Sequence, residues 1–155
     1  MWIDIHNAFG SVNRELLFKI LASFGLLYEY NFVRVVKSLY IDYFQLYDDG
    51  YFIRAIPELV GVKQGDPLSA LMFSFYLAPA MFEVAKLYKG FKVANQYELG
   101  IAAYADDILL FAPSVPDMVT QLDSLVSALK DLGLEINLQN SALLSLNYRC
   151  CEPMQ

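Results

Sequence analysis

Runs of apolar residues, each broken by a few polar ones, divide the chain into elements. Met1 to Ile5 is apolar except for Asp4 and predicts a short buried strand. Asn13 suits the N-cap of a helix through about Phe24, with Gly25 as its stop. From about Tyr28 to Tyr40, the apolar residues Phe32, Val35, Val36, Leu39 and Tyr40 recur at helical spacing. Two extended runs, Tyr43 to Tyr47 and Tyr51 to Ile56, flank Asp48-Asp49-Gly50 and predict a hairpin. A long apolar helix is expected from Pro67 to about Lys89, capped by Asp66, bent at Pro79 and ended by Gly90. A second hairpin is expected from Leu99 to Ala105 and Ile108 to Ala112, on either side of Asp106-Asp107. Ser114 and Pro116 open a helix through about Leu132 that Gly133 closes, and Leu134 to Leu138 and Ala142 to Asn147 supply two last strands. This order predicts an α+β fold with an antiparallel sheet packed on helices.

Composition narrows the picture. The 155 residues fit one domain, and 57% hydrophobic against 18% charged residues is far from the composition of a disordered chain. A net charge of -6 is the reverse of the basic balance that grips phosphate backbones, so any nucleic-acid partner must be held partly by something outside this segment. The adjacent Cys150 and Cys151 have no partner at metal-ligand spacing and read as incidental. No N-terminal signal pattern is visible, so an intracellular location of unknown compartment is expected. The uncharged stretch from Pro67 to Phe82 is shorter than a bilayer span and holds serines and prolines, so it reads as a core helix and no membrane partner is expected.

Acids are the exception in so apolar a chain. Asp4 lies within Trp2-Ile3-Asp4-Ile5, and Asp106-Asp107 lie between two runs expected to be strands, so all three are expected to sit within sheet core. A buried carboxylate without a counter-charge is costly, and no basic residue is close in sequence to either site. A hard divalent cation with oxygen ligands resolves this, and magnesium is the usual choice where phosphates complete the shell. Two such ions about 4 Å apart can stabilise the attacking and leaving oxygens of a phosphoryl transfer. The alternative is a polar hairpin turn and a surface acid on an edge strand. Spacing alone leaves both open.

Four separated segments discriminate. Asp4-Ile5-His6-Asn7-Ala8-Phe9-Gly10-Ser11-Val12, Gly61-Val62-Lys63-Gln64-Gly65-Asp66-Pro67-Leu68-Ser69, Tyr104-Ala105-Asp106-Asp107 and Gly133-Leu134-Glu135-Ile136-Asn137 occur in this order. They resemble the successive boxes of reverse transcriptases, of the kind in retrotransposons without long terminal repeats, and the middle nine residues are the most specific. The resemblance implies a right-hand polymerase palm over residues 1–148, truncated on its N-terminal side and without fingers and thumb, followed by a tail at 149–155.

It further implies RNA-directed DNA polymerase activity within a retrotransposon polyprotein. Asp4, Asp106 and Asp107 would be the catalytic acids and would bind two Mg2+ ions, or Mn2+ in their place, together with the backbone carbonyl of Ile5. Asp4 and Asp106 would bridge the metals and Asp107 would support them. Phe9 would exclude a 2′-hydroxyl, Gln64 and Gly65 would lie against the incoming dNTP and template, and Tyr104 would contact the primer end, with an RNA template and a DNA primer as partners. His6, the single histidine, reads as a neighbour of the site. The pattern departs from the family at Gly10, where an acid is usual, at Asn7, where Lys is frequent, at Ala70, where Pro is usual, and at Asn140, where the family commonly has a Lys near the leaving pyrophosphate whose charge an Asn cannot supply. The second reading is a non-catalytic retroelement remnant with at most metal or partner binding.

Overall fold

The computed structural model describes residues 1–26, 30–40, 44–48, 50–57, 60–88, 90–93 and 97–145. The expectations at Tyr28, Tyr43, Asp49, Lys89 and Asn147, and for the tail with Cys150 and Cys151, lie outside the described residues. In chain order the elements are β1 (Trp2–Ile5), α1 (Arg14–Leu21), a π turn (Ala22–Leu26), α2 (Tyr30–Tyr40), β2 (Phe44–Asp48), β3 (Ile53–Pro57), α3 (Pro67–Leu87), β4 (Phe91–Val93), β5 (Tyr97–Leu99), β6 (Ile101–Tyr104), β7 (Asp107–Leu110), α4 (Val115–Asp131) and β8 (Ile136–Ala142).

A four-stranded antiparallel sheet, in the order β6-β7-β1-β8, is the frame. Side chains alternate across a strand, and Ile3, Ile5, Ile108 and Leu110 all turn to one face, where they are buried. They share a core with Leu17 and Leu21 of α1, with Met72, Phe73, Tyr76, Leu77, Ala80 and Val84 of α3, and with Leu125, Ala128 and Leu129 of α4. Among the described residues, helices thus cover one face of the sheet. Fully buried Tyr76 ties three parts together, because its hydroxyl accepts from the Asn13 backbone N–H at 3.3 Å and donates to the Leu132 carbonyl.

Local signals in the sequence are realised at the helix starts. Asn13, Asp66 and Ser114 each cap a helix, with side-chain oxygens accepting from the backbone N–H of Leu16, Leu68 and Asp117. Pro79 lies inside α3, which continues to Leu87. That helix is long and apolar enough to cross a membrane, yet one stripe of it is packed in the core, while Leu71, Phe82 and Leu87 are exposed.

The structure corrects two elements. The two final strands expected from Leu134 onward are one strand, β8, which runs through Ile136–Ala142 without a turn between. A hairpin of β4 and β5, paired Phe91 to Leu99, was not expected; at three residues each, its strands are too short to show alternation.

Candidate metal centre

The ladder between β1 and β7 fixes the two strand acids. The terminal ammonium of Met1 donates to the Leu110 carbonyl at 2.6 Å and the Leu110 N–H donates to the Met1 carbonyl at 2.8 Å, which makes them a hydrogen-bonded pair. Pair types alternate along an antiparallel ladder, so Ile3 and Ile108 are hydrogen-bonded and Asp4 and Asp107 are not. Non-hydrogen-bonded pairs bring their Cα atoms to about 4.5 Å and their side chains closest together. Two acids therefore occupy directly opposed positions where the ladder is narrow, and like charges at such positions repel.

This placement corrects the expectation that the acids are embedded in sheet core. Because Ile3, Ile5, Ile108 and Leu110 take the helix-covered face, period two turns Asp4 and Asp107 to the opposite, open face. Asp4 is half-buried and Asp107 exposed. Pairing extends the row across all four strands as Tyr104, Asp107, Asp4 and Asn137. Tyr104 is 86% exposed, so its ring stands clear of the core. Beside the row, the Trp2 indole N–H donates to Asp107 Oδ1 at 3.0 Å.

Asp106 sits in the two-residue turn between the Tyr104–Asp107 pair that closes the β6–β7 hairpin. Its neighbour Ala105 has φ 51°, a left-handed conformation that disfavours a Cβ, so the turn holding Asp106 is backbone-strained. The strand partner of Asp4 is thus Asp107, with Asp106 beside it at the hairpin tip. Among the described residues no three His, Cys, Asp or Glu side chains are gathered into a ready metal cage.

Residues of β8 close over Asp4, and of these the sequence singles out only Asn140, as a departure from the family pattern. Asp4 Oδ2 accepts from the side-chain amides of Asn137 at 3.0 Å and Asn140 at 3.1 Å, and the Asp4 backbone N–H donates to Ser141 Oγ at 3.2 Å. The available signal was Asn137 beside Ile136, which period two turns to the face of Asp4.

A second group forms around the segment after β1. Phe9 is half-buried and stacks on Phe73 of α3 at 5.2 Å between centroids. Its carbonyl accepts from Val62 N–H, and the Gly61 N–H donates to the Val12 carbonyl, both at 2.8 Å. Gly61 has φ +83°, and a Cβ there would approach the Phe9 carbonyl oxygen and Gly10 Cα to 3.0 Å, so only glycine permits this contact. The Arg14 side chain donates to the carbonyls of Val60 and Gly61 and covers the Tyr40 ring at 5.0 Å. Phe9 and the loop bearing Gln64 and Gly65 are therefore brought together, and Gln64 and Gly65 are exposed. Ile5 ends β1 with its side chain buried, and His6 is exposed.

Comparison with known proteins bears on the family of the chain. Residues 1–150 match the family described as reverse transcriptase (RNA-dependent DNA polymerase). The chain is 30% identical over 136 residues to the retrovirus-related Pol polyprotein from type-2 retrotransposable element R2DM of Drosophila melanogaster. It is 25% identical over 144 residues to the corresponding polyprotein of type-1 element R2 from Popillia japonica. These alignments cover 87% and 92% of this chain but only 12% and 23% of the polyproteins. The chain belongs to the reverse transcriptase family, in the branch of retrotransposons without long terminal repeats.

Proposed function

We propose that this segment is the metal-binding part of an RNA-directed DNA polymerase that acts within a retrotransposon polyprotein, extending a DNA primer on an RNA template with dNTPs. The observation that carries the reading is the Asp4–Asp107 pair, two acids on directly paired positions of the open sheet face, with Asp106 next in the chain. Such a pair fits a hard divalent cation, because oxygen ligands and a need for positive charge coincide there and the open face leaves room for phosphate oxygens. Asp4, Asp106 and Asp107, with the Ile5 carbonyl, would hold two Mg2+, which when bound stabilise the attacking and leaving oxygens of nucleotidyl transfer.

The chain's own residues would then orient the reactants. Phe9, held against Phe73 and clamped by the Val62 bond, is a rigid wall for the deoxyribose. Gln64 and Gly65 present an amide and bare backbone to the incoming nucleotide and template. Tyr104 offers an exposed ring next to Asp107 for the primer end.

A second reading, a remnant that binds metal without catalysis, is favoured by the lack of a three-acid cage among the described residues and by the uncharged side chain at Asn140. Primer extension on an RNA template with Mg2+, using the segment within its polyprotein, separates the two. Extension that drops at least about 100-fold in both Asp4→Asn and Asp106→Asn supports the polymerase. Wild-type protein that binds Mg2+ but extends nothing supports the remnant.

A further inference from the structure

The pairing of β8 with β1 is broken beside the candidate metal centre. Trp2 pairs with Ala142 and Asp4 with Asn137, so residues 138–141 of β8 stand opposite Ile3 alone. The surplus chain bulges, and a bulge next to a site re-aims side chains that a regular strand would turn elsewhere. Here the bulge and the paired Asn137 beside it supply three polar groups to one residue. Ser141 Oγ takes the Asp4 N–H and itself donates to the Asn137 carbonyl at 2.7 Å, closing the bulge on itself. The Asn137 and Asn140 amides both donate to Asp4 Oδ2. Among the described residues no hydrogen bond reaches Asp4 Oδ1.

We propose that the β8 bulge is a carboxylate clamp in which Asn137 and Asn140 are positioning residues that pin Asp4 Oδ2 and present Oδ1 to a divalent cation. The inference rests on the metal-centre reading above. Two donors on one oxygen restrict the rotation of the carboxylate, which lowers the ordering cost when the cation binds. Amides do this without charge. An ammonium at position 140, within reach of the same oxygen, would be a competing cation, so in this chain Asn140 does a different task from supplying positive charge.

The single tryptophan, bonded to Asp107, reports on the site directly. Quenching of Trp2 emission by Mn2+, with competition by Mg2+, gives metal affinity without any assay of turnover. Asn140→Ala and Asn137→Ala are expected to weaken Mn2+ about 10-fold each, the usual effect of removing a hydrogen bond to a metal ligand. Asn140 is exposed, so its thermal midpoint should stay at the wild-type value. Asn140→Lys should weaken binding further than Asn140→Ala. Wild-type affinity in Asn140→Ala, or binding in Asn140→Lys equal to or tighter than wild type, overturns the clamp. If quenching is lost in Asp4→Asn while Asn140→Ala binds normally, the clamp alone fails. If wild type and Asp4→Asn quench alike, the clamp and the metal centre fail together.

Discussion

Asn7 and Gly10 occupy one volume. A Cβ at Gly10 would meet the Asn7 side-chain oxygen at 2.5 Å, and Asn7 itself has φ 44°. The two departures from the family box are therefore one event in space, since the amide at 7 fills the place where a side chain at 10 would begin. Asn7 is exposed and its amide can rotate aside, so Gly10→Ala is expected to cost at most about 1 kcal/mol in chemical denaturation, and nothing measurable in an Asn7→Gly background. Both departures are visible in the sequence, but their coupling is not, because a left-handed Asn7 cannot be read from neighbouring residue types. Tyr76 makes a comparable point about burial. Desolvation raises its pKa above the ordinary value of 10, so the folded state keeps the proton that the unfolded chain gives up. Its contribution to stability is full below pH 10 and falls as pH rises from there towards its folded pKa. Tyr76→Phe should lose about 1 kcal/mol at neutral pH and show a shallower loss of stability above pH 10, followed by urea midpoints across that range.

Among the elements, the β6–β7 turn holds a left-handed residue that is not glycine. With Ala105 left-handed, Ala105→Gly should raise stability by about 0.5–1 kcal/mol, measured as a higher denaturation midpoint at unchanged slope. Elements set by local chemistry were legible from sequence. Caps at Asn13, Asp66 and Ser114, and the hairpins of β2–β3 and β6–β7, depend on residues within four positions of each other. The course of β8 was not legible, because its pairing on either side of residues 138–141, and the contact of Asn140 with Asp4, are made with β1 more than a hundred positions away. For the same reason the sequence showed Asn140 only as a missing lysine, with no hint of the carboxylate it reaches.

At the scale of the molecule, helices α1, α3 and α4 cover one face of the sheet and leave the other to Tyr104, Asp107, Asp4 and Asn137. The order of the family boxes was legible, but the face was not. Apolar neighbours on both sides of each acid suggest burial, whereas every second one of those neighbours takes the core side. Facing acids also make the fold sensitive to cations. Thermal unfolding of the segment is expected to shift upward by several degrees when Mg2+ is raised well above its dissociation constant, and by less in Asp4→Asn. The Met1–Leu110 exchange has a wider meaning. It sets the parity of the β1–β7 ladder, and the same parity decides that isoleucines go inward and that the acids meet. Slipping β7 by one residue would bring Ile108 out beside Asp4 and turn Asp107 and Leu109 into the core. Core and site thus share a single mechanical setting, and mutational drift cannot detune the acid pair by strand slippage without first unmaking the protein.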